Sequence, residues 1–136
     1  MAVEIADIRA GLAANLATLG TAQQVSAYPS AVPTPPSLIV VGFDQIEALT
    51  FGGGAFDIPF TVQGLAGKPT LKSAYIKLDQ WLSPKGASNV WEAIEVDRTL
   101  GGKVSDLFVS SCDGSQIIEV GGAEVLGSTW HVQITL

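Results

Sequence analysis

Charge is the scarcest ingredient of this sequence. Asp, Glu, Lys and Arg together make up 15% of its 136 residues, where a typical globular domain carries about 25%. Cys112 is the only cysteine, which excludes an internal disulfide and a paired-thiol metal site and makes a reducing compartment the default expectation. There is also no uninterrupted run of the ~20 apolar residues that a membrane-crossing helix requires. Met1 to Ile8 lacks the basic start and continuous apolar stretch of a secretion signal, being broken by Glu4 and Asp7, so the chain is expected to stay where it is made.

What is abundant is apolar side chain. Hydrophobic residues reach 47%, sixteen of them alanine. The length suits one domain spanning 1–136 with a core of ordinary size. A domain this small hides only about two-thirds of its unfolded surface, so part of the apolar excess is expected to face partners. Acidic residues outnumber basic ones for a net charge of −6, and Arg9, Lys68, Lys72, Lys77, Lys85, Arg98 and Lys103 are spread along the chain. Phosphate binding needs clustered cations, so this is not the footprint of a nucleic-acid binder.

Ile5, Ile8, Leu12, Leu16 and Leu19 recur at three- and four-residue steps and predict a helix over about 3–18, with Asn15 off the apolar stripe and Gly20 as a left-handed stop. Gln23 to Tyr28 reads as a short extended segment. Four prolines between Pro29 and Pro36 remove backbone donors and fix φ, predicting a stiff connector. Ser37 to Gly42, with Leu38, Ile39, Val40 and Val41 consecutive, predicts a strand buried on both faces. Phe43 to Gly54 reads as a flexible loop.

Alternation at Phe56, Ile58, Phe60 and Val62 predicts a half-buried strand, and Pro59 within it predicts a sheet edge open to another subunit. Leu71, Ala74, Tyr75, Leu78 and Leu82 give a second helical stripe. Asn89 with Glu92 resembles a capping box opening a shorter helix to about Val96. Strands follow at Val104 to Cys112, Gln116 to Val120, and a last one in which Trp130, Val132, Ile134 and Leu136 alternate with polar residues. The order predicts an α+β domain with a mixed, mostly antiparallel sheet and two to three helices on one face.

Residues able to do chemistry are few. His131 lies on the polar phase of the last strand, where a general base would still need a partner. Cys112 in an apolar strand reads as a small core residue. Asp44 with Glu47, and Glu92 with Glu95 and Asp97, lack the spacing of a calcium loop. Gly52-Gly53-Gly54 is not followed by the Lys-Ser/Thr of a phosphate loop. Trp81 and Trp130 read as core or as the lining of a ligand pocket, while Trp91, just after the cap, is a candidate outward anchor for protein contacts.

Several segments taken in order resemble a known family: Ile8-Arg9-Ala10-Gly11-Leu12-Ala13-Ala14-Asn15-Leu16, Val25-Ser26-Ala27-Tyr28-Pro29 leading into Pro33-Thr34-Pro35-Pro36, Leu78-Asp79-Gln80-Trp81-Leu82, Asp97-Arg98-Thr99-Leu100-Gly101-Gly102, and Leu126-Gly127-Ser128-Thr129-Trp130. Together they are similar to the tail terminator, or tail completion, proteins of long-tailed actinobacteriophages. The resemblance implies a virion protein of the tail-neck junction, assembled in the host cytoplasm. It implies a homo-hexameric ring that caps the tail tube protein, stops its polymerisation and joins it to the head-tail connector or stopper. It implies no catalysis and no cofactor.

A ring needs two different complementary patches per subunit. Candidate contact residues are Asp44, Glu47 and Phe51 in the loop, Trp91, and Arg98 with Leu100 after the third helix; the last pair reads equally well as a plain helix exit. Six copies would carry six times −6, or −36, so DNA is expected to pass through the ring without specific binding. Another neck or head-completion protein remains an alternative, as does a small-ligand-binding α+β module; an enzyme would have to work through His131 or Cys112.

Overall fold

The two longest alternating segments pair with each other and make the centre of the sheet. The structure is a computed structural model and describes residues 3–29, 35–48 and 55–136. In chain order its elements are α1 (Ile5–Ala17), β1 (Gln24–Ser26), β2 (Ser37–Phe43), β3 (Glu47–Ala48), β4 (Phe56–Gly67), α2 (Lys72–Leu82), α3 (Val90–Ile94), β5 (Asp106–Cys112), β6 (Gln116–Val120) and β7 (Ala123–Thr135). β4 and β7 run antiparallel, from Asp57 opposite Thr135 to Gly67 opposite Leu126. Their even-numbered residues Ile58, Phe60, Val62, Trp130, Val132 and Ile134 turn to one face and are buried there.

The spatial order is β1-β2-β4-β7-β5, with β3 continuing the sheet beside β4 and β6 beside β7. Among the described residues only β1 with β2 is parallel. α1 lies against β1 and β2, α2 against β4 and β7, and α3 against β5. The helices contribute Ile8, Leu12, Leu16, Leu78, Trp81 and Ile94 to a single core with the buried sheet face. This is the expected α+β fold, with three helices on one face. The opposite face has its own small cluster of Ile39, Leu65 and Val125 at the β6 end, and elsewhere shows half-exposed Thr61, Gln63, Thr129, His131 and Gln133.

Helix signals translate closely. The Glu4 amide donates to the Asp7 carboxylate at 3.0 Å at the start of α1, and Gly20 has φ +72°, the left-handed stop. Asn89 caps α3 by accepting the Glu92 amide at 2.7 Å. Asn15 departs from expectation. It is buried, and its amide nitrogen donates to the carbonyls of Ile94 (2.8 Å) and Asp97 (3.0 Å), satisfying the exposed end of α3 from inside α1.

Three expectations are corrected. β4 is central, not an edge. The Leu136 amide donates to the Phe56 carbonyl, so backbone groups of odd-numbered β4 residues turn away from β7. Pro59 therefore points its missing donor toward the gap between β2, whose pairing ends at Phe43 opposite Phe60, and β3, whose pairing begins at Glu47 opposite Asp57. The stretch 43–54 is not all loop, since Glu47–Ala48 forms β3; its remainder, 49–54, lies outside the described residues, as does 30–34 of the proline connector. In α2, Leu71 and Tyr75 are exposed, and the buried stripe is Ala74, Leu78 and Trp81.

The true sheet edge on the β7 side is β5, and it is blocked. Phe108 and Asp106 pair with odd residues of β7, which leaves the Val109 amide facing outward; the Glu95 carboxylate accepts it at 2.8 Å. At the other end, Gly121 and Gly122 (φ +58° and +82°) make the two-residue turn between β6 and β7.

The sheet also tolerates no bulk at one crossing. A Cβ on Gly127 would lie 2.3 Å from the Gly64 carbonyl oxygen, and one on Gly64 would lie 2.9 Å from the Trp130 ring. Gly127→Ala is therefore expected to destabilise the fold by about 1–3 kcal/mol or more, read as a lower denaturant midpoint. A midpoint matching the parent chain would show that β4 and β7 do not approach this closely.

Candidate interaction surfaces

One end of the sheet is organised by Arg9. Its Nη1 donates to the carbonyls of Ala27 (2.9 Å) and Val40 (3.0 Å), and Nη2 to Val41 (3.3 Å). The guanidinium also stacks on the Tyr28 ring at 4.7 Å. A bulge between Val40 and Gly42 follows, and a Cβ on Gly42 would crowd Arg9 Nη2 at 3.3 Å. Val41 in the bulge and Phe43 and Ile46 beyond it are exposed, as is Tyr28 beside Arg9. The Phe43 ring keeps one contact inward, 5.4 Å from Phe60.

This apolar end is acidic. Asp44 and Glu47 are both exposed, and Glu47 sits directly across from Asp57 in the β3–β4 register. Like charges at opposed positions oppose each other. Gln45 donates to Glu47, and the Gln133 amide, oriented to donate, reaches both Asp57 oxygens at 3.2 and 3.1 Å. Neither neighbour brings a positive charge. The patch wraps the sheet's end, with Phe43 on the helix side and Glu47 and Asp57 on the other.

A second surface lies on α2. The helix buries Ala74, Leu78 and Trp81, and Trp81 is fixed by its indole N–H donating to Thr21 Oγ1 at 3.0 Å. Opposite that stripe, Leu71, Tyr75 and Ile76 are exposed beside Lys72, with Lys68 just before. Lys68 and Lys72 adjoin these apolar residues, and Lys68 shares the neighbouring groove with Glu124. Residues 68–85 hold Lys68, Lys72, Lys77 and Lys85 against Asp79 alone, a net +3, which leaves −9 for the rest of a chain totalling −6. Lys77 is tied to the Thr21 carbonyl at 3.3 Å. The sequence reading missed this surface because two of its three apolar residues, Leu71 and Tyr75, were assigned to the core stripe.

The two surfaces lie at opposite ends of β4, whose twelve residues span roughly 36 Å at ~3.3 Å each. Asp44 and Glu47 thus lie on an exposed patch, while Phe51 lies outside the described residues. Trp91 is half-buried and packs on the core, which corrects its expected outward projection. Trp81 and Trp130 are 0% and 1% exposed, so neither lines a ligand pocket.

The loop after α3 is also corrected. Leu100 is 4% exposed and occupies the space a Cβ on Gly11 would need, 3.0 Å from its own Cβ. Arg98 makes a two-pronged pair with Asp106, Nε to Oδ1 at 2.9 Å and Nη2 to Oδ2 at 3.0 Å. Asp97 folds the turn by accepting from the amides of Thr99 (3.2 Å) and Gly101 (3.0 Å). This segment fastens α3 to β5 and holds Leu100 inward.

His131 Nε2 lies 3.0 Å from Asp113 Oδ1 at a partly exposed position, and Cys112 Sγ is 3.5 Å from Ser128 Oγ. Among the described residues no three His, Cys, Asp or Glu side chains gather as metal ligands, and no helix is long and apolar enough to cross a membrane. An open groove of about 540 Å³ lies between Pro35, the Gly67–Thr70 turn and the β6–β7 hairpin at Val120 and Val125. Neither the family models nor the curated proteins give a match to this chain.

Two carboxyls titrate abnormally. The Thr99 amide, foremost among the donors around it, holds Asp97 below its ordinary 3.8, and the Arg98 guanidinium does the same for Asp106. A depressed carboxyl stabilises the fold above its unfolded pKa and ceases to do so as pH falls through the folded value. Asp97→Asn should therefore lower the melting temperature at pH 7 and shrink the fall in melting temperature between pH 5 and pH 2. An unchanged acid limb would show that the turn does not contribute.

Proposed function

We propose that the protein is a structural virion component: a tail terminator whose copies form a ring, hexameric by resemblance, on the end of the tail tube and join it to the head connector. The observation that carries this reading is the pair of exposed apolar surfaces of opposite charge at the two ends of β4. A closed ring requires each subunit to offer two unlike, complementary surfaces. The acidic balance suits a bore through which DNA slides without adhering. The ordered resemblance of the segments quoted above supplies the tail, and the chain acts without cofactor through contact alone.

A terminator must bind the last tube ring and deny the next one a seat, so its loss should leave tube growth unchecked. Phage assembled without this protein should show over-long tails by negative-stain electron microscopy. Tails of normal length that lack heads would instead make it a joining protein of the neck.

The groove beside Pro35 favours one other reading, a module for a small apolar ligand. It predicts a stable monomer whose melting temperature rises with ligand. A ring that melts at the same temperature with and without added cell extract metabolites would exclude it.

A further inference from the structure

We infer that the ring contact is made head to tail between α2 of one copy and the β2–β3 end of the next, a contact that rests on the ring reading above. Leu71, Tyr75 and Ile76, with Lys68 and Lys72 at their margin, would seat on Phe43 and Ile46 with Asp44 and Glu47 at theirs.

Each surface supplies what the other lacks. Around the β2–β3 end, Glu47 and Asp57 are registered opposite each other and take their side-chain hydrogen bonds from the neutral amides of Gln45 and Gln133, an arrangement that a cation from outside would relieve. Arg9, at that end of the sheet, is committed to three backbone carbonyls and the Tyr28 ring, and Arg98 is committed to Asp106. The α2 surface carries the lysine-rich stretch of an acidic chain. Apolar centres with charged margins of opposite sign give register as well as attraction.

Placement argues the same way. Surfaces on opposite ends of the twelve-residue β4 cannot meet within one chain, and a contact joining unlike patches propagates from copy to copy until rotation closes it. Aromatic side chains lie on both sides, Tyr75 and Phe43, the residue types that anchor protein contacts.

The test uses the full chain in two parts. First, Lys68→Glu with Lys72→Glu should weaken self-association by about tenfold or more, measured by analytical ultracentrifugation, and adding Asp44→Lys with Glu47→Lys should restore it. These side chains are exposed, and circular dichroism is to check that each variant folds. Second, in a Cys112→Ser background, Tyr75→Cys together with Ile46→Cys should form disulfide-linked multimers on oxidation, while either cysteine alone should yield dimers at most. Restored association and a multimer ladder support the contact. Association that ignores charge reversal, with no ladder, overturns the contact and leaves the ring intact. A parent chain that stays monomeric at all concentrations and on tail tubes overturns the ring reading, and the contact with it.

Discussion

The fold depends on how closely β7 can approach β4. Gly127 faces the Gly64 carbonyl and Trp130 lies where a side chain on Gly64 would be, so two missing Cβ atoms let the largest core residue of β7 cover its neighbour. Trp130 then presents a broad apolar floor, joined by Phe60, Val62 and Val132, on which α2 can lay Leu78 and Trp81. Dense interiors transmit such constraints, because no side chain can change size without moving another. From that crossing outward the sheet places β2 and α1 on one flank and β5 and α3 on the other.

Much of this was legible in the sequence, and the reasons differ by element. Period-two alternation at Trp130 to Ile134 and period-3.6 spacing at Ile8 to Leu16 are properties of local backbone geometry, so they carried over. Asn89 and Gly20 carry their meaning in a single side chain, or in the lack of one. Pro59 misled because the rule behind it concerns an absent partner at one position, whereas the rest of β4 is fully paired; the gap between β2 and β3 is a fact about chain ends that sequence does not display. Asn15 looked like a surface residue because its partners, the carbonyls of Ile94 and Asp97, are some eighty positions away. The Gly121–Gly122 turn was readable, flanked as it is by Val120 and Ala123, and would have extended β7 backward to its true start.

The interaction surfaces were half visible. Asp44 and Glu47 stood out because they are acidic and sit in a glycine-ended stretch. The α2 surface did not, because Leu71 and Tyr75 fit a helical stripe as well as Ala74 and Leu78 do, and only packing decides which flank faces the sheet. Leu100 shows the converse. A left-handed backbone at φ +50° turns a leucine from a glycine-rich exit back into the core, an outcome that Asp97 and Arg98 enforce through the turn and the pair with Asp106. Trp81 and Trp130 were read as core or as pocket lining, and the core reading is the one that holds, both being buried.

Glu95 reaches from the end of α3 to occupy the Val109 amide, the point where a foreign strand would otherwise begin to zip onto β5. Backbone pairing is thereby obstructed at that one position of the rim. Such a guarded amide suits the proposed ring, whose copies would meet through side chains rather than by strand addition.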